Sequence, residues 1–415
     1  MKVRVTNFGP IEDAEFELGD VTVVIGPNAS GKSFLSYMLY SVLGTIPLTS
    51  PEDLEELPRG EAYLSSYLDV INKVLARSLR KGFEDVFGVK YRELISVGHE
   101  ESRITFTDEG IGDLTITLGK EFEVETKLHK DVKLFVTFEE SEGWIPFTIS
   151  VKTTRTDTGD YRISLHYSPA GSPGKEDVLE AGKKEALASA LVELILRLLL
   201  REYSPVEVKM LPTERNLVIS NLLGYLSAYI SANRLLKVSD KPVVRYFVES
   251  LMGAMTLLKG EEVSIPTFNL KCKIVEPFVL EVYEKGERIP LPLLSSGYAQ
   301  VLPVHILSRF GRFLIIEEPE LNLHAGAQVK VANYLYDLVE KEDKRLFLTT
   351  HSDIFAIQMT INHVKRGRDK GKTLKIYLLN EGRMEEIAYT ERGDIESIPT
   401  ITDVIREQVK EIYGE

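Results

Sequence analysis

Two kinds of hydrophobic pattern run along the chain. Val21-Thr22-Val23-Val24-Ile25 is a short β-branched run that predicts a strand buried on both faces. Phe313-Leu314-Ile315-Ile316 and Leu346-Phe347-Leu348 predict two more. A helical pattern follows each run, and strands alternating with helices predict a parallel α/β sheet. From Arg103 to Tyr167 the spacing changes to alternation: Ile104-Phe106, Leu114-Ile116, Phe122-Val124 and Val132-Leu134-Val136. Asp108-Glu109-Gly110 and Ser141-Glu142-Gly143 punctuate it as turns, so this stretch predicts an antiparallel meander. Helical patterns occupy 52–85, 176–202, 217–236, 241–259 and 295–310, and Ser168 to Lys175 reads as a loop. The tail from Asn380 predicts a small strand pair and a final helix from Asp403 to Tyr413.

The three buried runs lie near the two ends of the chain. The expected organisation is therefore a discontinuous α/β domain, 1–50 and 205–415, with a helical and antiparallel β region inserted at 51–204.

Composition narrows the classes. Among 415 residues, 50 are basic and 63 acidic, a net charge of −13. Such a chain is a poor sequence-independent ligand for nucleic acid or anionic lipid, and DNA contact needs a local basic patch or a partner. Lys365-Arg366-Gly367-Arg368-Asp369-Lys370-Gly371-Lys372 is the best candidate patch; a solvated loop is the alternative. The single Cys272 excludes an intrachain disulfide and any multi-cysteine metal centre, which fits a reducing cytoplasm. The most apolar helical pattern, Ala186 to Leu200, is broken by Glu193 and Arg197 and is shorter than the roughly 20 residues of a membrane span. With no apolar leader after Met1, the expectation is a cytoplasmic protein without membrane contact.

Gly26-Pro27-Asn28-Ala29-Ser30-Gly31-Lys32-Ser33 matches the phosphate-binding pattern G-x-x-x-x-G-K-[ST], after a buried strand and before a helix. The glycines let successive N–H groups curl toward phosphates, and the helix N-terminus adds a favourable dipole. Lys32 is expected to reach the β- and γ-phosphates of ATP, and the Ser33 hydroxyl to ligate Mg²⁺. Phe313 to Ile316 ends in Glu317-Glu318-Pro319-Glu320. Glu317 is the candidate metal-shell acid and Glu318 the group that orients or deprotonates the attacking water. Ser295-Ser296-Gly297 opens a helix whose free N–H groups suit an anion, though an ordinary serine cap is the simpler reading. His351 ends the third strand, as either a γ-phosphate contact or a satisfied loop residue.

The order of these motifs resembles ATP-binding-cassette ATPases. Asn7-Phe8-Gly9-Pro10-Ile11 with Gly26-Pro27-Asn28 is similar to their soluble branch, which holds the structural-maintenance-of-chromosomes (SMC), RecF-like and overcoming-lysogenization-defect (OLD) ATPases. Glu317 to His324 and Thr350-His351-Ser352 are particularly similar to the OLD-like group. The resemblance covers roughly 1–50 and 205–390. It implies an ABC-type P-loop head and an ATP-dependent head-to-tail homodimer. Lys32, Ser33 and Glu317 would bind Mg·ATP, Ser295 and Gly297 of the second copy would cap the γ-phosphate, and His351 would be the switch residue. His324 would lie in the segment that crosses the dimer. Leu211-Pro212-Thr213-Glu214-Arg215 resembles a Pro-x-x-Arg segment of OLD-like ATPases, at the Q-loop position but with no glutamine. Glu317 replaces the usual aspartate, Ser296 replaces a signature glycine, and Tyr298 stands where Gln or Glu is common. OLD nucleases also carry a Toprim domain built around Asp-x-Asp, a pattern this sequence lacks. The resemblance therefore implies an ATPase without nuclease chemistry of its own. It would serve DNA maintenance, repair or phage defence, with DNA and an effector such as a separate nuclease as candidate partners. The alternative is a nucleotide-dependent scaffold with little turnover.

Overall fold

A computed structural model describes residues 1–44, 46–57, 60–140, 149–157, 159–168, 176–200, 207–220, 241–276, 279–395 and 407–413. The expected turn at 141–143, most of the loop to Lys175, the helical pattern from 221 and the start of the final helix lie outside the described residues.

The buried apolar runs become the second, third and fourth strands of an eleven-stranded sheet. Its first half is parallel: Val208–Leu211, Phe313–Glu317, Arg345–Thr350, Val21–Ile25 and Leu374–Asn380 lie side by side. Val21–Ile25 and Phe313–Glu317 are buried along their whole length, as strands covered on both faces require. Helix Lys32–Leu43 packs over strands 208–211, 313–317 and 345–350. The register aligns the strand ends. Leu211 pairs with Ile316, Glu317 with Thr349, and Thr350 with Ile25, so four neighbouring strands finish together at one edge. This arrangement agrees with the α/β P-loop head that the resemblance implies.

The second half of the sheet is antiparallel except for one parallel junction, where Arg383 pairs with Asp13. The hairpin Leu374–Asn380/Arg383–Glu386 leads through a single pair to Ile11–Glu17, then Lys2–Phe8, Ser102–Asp108, Gly112–Leu118 and Phe122–Leu128. The predicted meander holds for its first three strands, which continue the main sheet. It fails beyond them: Lys133–Glu140 pairs parallel with Tyr161–Tyr167 in a separate four-stranded sheet. Alternation states which face a residue occupies, not which strand lies beside it.

The helical expectation over 52–85 is also corrected. Pro51–Asp53 is a 3₁₀ turn in which the Asp53 carboxylate accepts from Ser50 N at 2.7 Å and from Arg77 at 2.7 Å. Gly60–Tyr63 is a strand, and the α-helix begins only at Leu68 and runs to Phe87. Helix Glu176–Leu199 buries Leu187, Leu191, Val192 and Ile195 in the core, and no helix among the described residues is long and apolar enough to cross a membrane.

The candidate basic patch at 365–372 faces helix Ala325–Glu342. Arg366 meets Asp337 at 2.6 Å, Lys370 meets Glu340 at 2.6 Å, and Lys372 pairs with Asp343. The solvated-loop alternative fits this arrangement better, since two of its five cations pair with acids of that helix and a third with its cap residue Asp343.

Phe8 joins the two ends of this architecture. It has no exposed surface and packs edge-on against Phe34 of the P-loop helix and against Phe83 and Phe87, with centroids 5.7–6.0 Å away. Phe8→Ala should cost about 3–5 kcal/mol. Urea denaturation should show a lower midpoint with an unchanged slope; an unchanged midpoint would contradict this packing.

Candidate functional site

The site is assembled where the parallel strands end, the edge at which open α/β sheets place their ligand groups. Ile25 leads into Gly26, Glu317 into Glu318, Thr350 into His351, and Leu211 into Pro212.

Gly26 cannot carry a side chain, because a Cβ there would stand 2.1 Å from the Leu379 carbonyl oxygen. Gly31, with φ of 107°, takes the left-handed turn that starts helix Lys32–Leu43, and Ala29 is also left-handed at 61°. Such alternation turns backbone N–H groups toward one concavity, an arrangement suited to phosphate. Asn28, Ala29 and Ser33 face solvent, whereas Ser30 and Lys32 are buried. The Lys32 ammonium donates to the carbonyls of Gly26 at 2.9 Å and Pro27 at 2.7 Å, and lies 3.5 Å from His351 Nδ1. Burial pulls its pKa down to about 8, against the opposing field of Glu318, Glu320 and Glu317.

Glu317 and Glu318 are neighbours with different environments. The Glu317 side chain is buried, and neither carboxylate oxygen has a well-aligned hydrogen-bond partner, although the hydroxyls of Ser33 and Tyr37 stand near it. Burial pushes its pKa up to about 7, with Glu214 adding to the rise and Ser33 opposing it. Two buried carboxylate oxygens without a hydrogen-bond partner, beside a serine hydroxyl, are hard oxygen donors, so Ser33 and Glu317 fit Mg²⁺. The Glu318 backbone is left-handed, with φ of 41°. Its carboxylate meets His351 Nε2 at 3.2 Å, and this contact, with the charges of Lys32 and Arg215, holds it below the usual carboxylate range.

The structure thus brings together the P-loop, Glu317, Glu318 and His351. It also adds Glu320, to which the sequence assigned no role. Buried Glu320 accepts from the Thr350 hydroxyl at 2.6 Å and from the His351 amide at 2.8 Å, fixing the backbone that presents the imidazole. A third acid just past Pro319 was the only trace of it in the sequence.

The residues Ser295, Ser296 and Gly297 stand apart. Ser295 caps helix Ser296–Ser308, its hydroxyl accepting from Tyr298 N at 3.4 Å. Both serines are exposed, and no described hydrogen bond or ion pair links them to Gly26–Ser33. Their helix touches instead the segment after Glu320: Gln300 donates to the Leu321 carbonyl at 3.2 Å. His324 is exposed at the start of helix Ala325–Glu342.

Residues 21–357 match the protein family described as "AAA domain, putative AbiEii toxin, Type IV TA system". That span runs from the P-loop strand past His351. No curated protein matches this sequence. Similar solved structures include the SmcHead bound to the C-winged helix domain of ScpA, with 13% identity over 93% of this chain and 96% of that one and a TM-score of 0.37. The SMC head domain from Thermotoga maritima gives 14% identity, 94% and 98% coverage, and a TM-score of 0.36. The recombination mediator RecF gives 11%, 93% and 97%, and 0.34. With scores this low, the fold assignment rests on this chain's own strand order and P-loop geometry.

The raised Glu317 carboxyl makes stability depend on pH. Its folded pKa, about 7, exceeds the ordinary 4.5, so the native state binds the proton more tightly and stability is lost as pH rises through that window. Glu317→Gln removes the loss. In EDTA the variant should gain on wild type between about pH 5 and about pH 8, by no more than about 3 kcal/mol. Thermal denaturation at both pH values checks this, and a pH-independent difference would refute it.

Proposed function

The chain belongs to the family described as "AAA domain, putative AbiEii toxin, Type IV TA system", and on that premise we propose that it is an ATPase that binds and hydrolyses Mg·ATP between two copies of itself. Closure of the pair would drive a separate effector in DNA maintenance and repair or in phage defence. The boundaries 1–50, 51–204 and 205–415 remain part of this proposal, with the middle region as the surface that ATP-driven closure repositions.

One observation carries the reading: at a single sheet edge lie a left-handed P-loop, an orphaned Glu317 carboxylate beside Ser33, and a Glu318–His351 pair. Mg·ATP, when bound, supplies the γ-phosphoryl group and a metal that draws off its charge. Lys32 exchanges its two carbonyl partners for phosphate oxygens. Ser33 and Glu317 hold the metal. Glu318, kept ionised by His351, orients water and accepts its proton at the carboxylate. Ser295 and Ser296, exposed and unattached to their own P-loop, suit the γ-phosphate of a second copy, and Leu293 beside them is 75% exposed.

The scaffold reading has an observation of its own. Burial raises the Glu317 pKa to about 7, so metal binding must displace a proton there near neutral pH, which works against loading of the site with Mg·ATP. DNA remains a candidate partner, better reached through the effector now that three of the five cations of the 365–372 cluster are paired with acids of helix 325–342 and its cap Asp343.

Lys32→Ala should abolish micromolar binding of Mg·ATP in calorimetry, because no neutral group replaces the ammonium. Unchanged affinity would sink the P-loop assignment. Glu318→Gln should bind ATP but turn over at least about 100-fold more slowly, accumulating a dimer visible by light scattering. A variant whose mass does not respond to ATP would exclude the shared site. Purified protein with plasmid, Mg²⁺ or Mn²⁺ and ATP should leave the DNA intact; cleavage abolished by changing acids outside this site would reveal a nuclease centre.

A further inference from the structure

Arg215 is the largest fully buried side chain among the described residues, with no exposed surface. A buried guanidinium usually answers a carboxylate, yet its hydrogen bonds here go to backbone carbonyls. Nη1 donates to Glu317 O at 2.5 Å and Pro212 O at 2.9 Å, and Nη2 donates to Glu318 O at 2.8 Å. Chain geometry explains why. Strand Val208–Leu211 runs beside Phe313–Glu317 up to the pair Leu211 and Ile316. Pro212 comes next and has no N–H with which to extend the ladder. The side chain of Arg215 supplies donors where the backbone cannot. Burial lowers its pKa to about 10 while Glu320, Glu317, Glu318 and Glu214 oppose the fall, so it stays charged at neutral pH.

Glu318 is a left-handed glutamate, a strained conformation that persists only when its surroundings hold it. Its N–H donates to Thr349 O at 2.9 Å, and its carbonyl is held by Arg215. The direction of its carboxylate toward His351 depends on both restraints. On the other side, Glu214 pairs with Lys241 at 2.8 Å, immediately before helix Pro242–Leu257.

We propose that Arg215 is a positioning residue for ATP hydrolysis: it holds the Glu318 backbone in its left-handed turn and transmits the position of segment 211–215, and of the helix at 242–257, to the Glu318 carboxylate. The inference rests on the hydrolytic role proposed for Glu318.

Arg215→Lys keeps the charge but offers one nitrogen in place of a planar fork. Its kcat should fall about 100-fold, the scale of an ångström-sized misplacement, while KM and the calorimetric affinity for Mg·ATP stay near wild type. The Glu318 amide should exchange faster with D₂O, with the amides of helix Lys32–Leu43 unchanged. A variant with wild-type kcat, with loss confined to KM, or with a fully protected Glu318 amide overturns the proposal. Should this variant not fold, wild-type protein decides: a non-hydrolysable ATP analogue with Mg²⁺ must change exchange in 211–216 and 317–320 together, and independent responses overturn it. Exchange reads Arg215 without turnover, so a wild-type protein that hydrolyses nothing would sink the hydrolytic reading while this arm still reports on the clamp.

Discussion

A parallel sheet can gather chemistry only at its ends, because side chains along its interior strands are committed to the core. Everything at this site depends on four adjacent strands finishing in step. A slip of one residue in Phe313–Glu317 would turn Glu317 from the Ser33 side to the opposite face. The burial of all five residues of that strand makes such a slip expensive, since it would repack apolar contacts on both faces. The core therefore sets the precision of the site, and the loops supply only the last step of each chain turn.

The same edge concentrates charge where water is scarce. Glu214, Glu317, Glu318 and Glu320 crowd around Lys32 and the buried Arg215. The carboxylates are kept distinct by what each touches. Glu318 has an imidazole partner, Glu320 has a hydroxyl and an amide, and Glu317 has only nearby hydroxyls. Adjacent acids thus differ in proton affinity without differing in side-chain chemistry, which lets one serve as a metal ligand and its neighbour as a base.

How much of this could be read from the sequence followed from range. The P-loop and the three apolar strands are local patterns, and they hold. Glu317, Glu318 and His351 could be singled out because each stands within three residues of the end of an apolar run. Glu320 could not, and Arg215 stood out only as the end of a Pro-x-x-Arg segment, since their roles lie in contacts with His351, 31 residues away, and with the Glu317 carbonyl, 102 residues away. The cluster at 365–372 looked like a phosphate patch because its balancing acids sit on helix Ala325–Glu342, one face of which is invisible in a linear reading. A third sheet, Glu262–Ile265 through Glu287–Ile289, went unread: its strands are short and Pro266 interrupts their alternation.

The place of Val21–Ile25 between Arg345–Thr350 and Leu374–Asn380 has a consequence for biosynthesis. The strand that carries the P-loop is made before both of its sheet neighbours, which follow only after residue 344. At ordinary translation rates of about 5–20 residues per second, the gap is on the order of tens of seconds. During that interval a strand of four apolar residues and one threonine has no ladder to join, and the nucleotide pocket does not exist. A nascent chain is therefore blind to ATP until the histidine strand arrives, and its central strand needs shelter in the meantime.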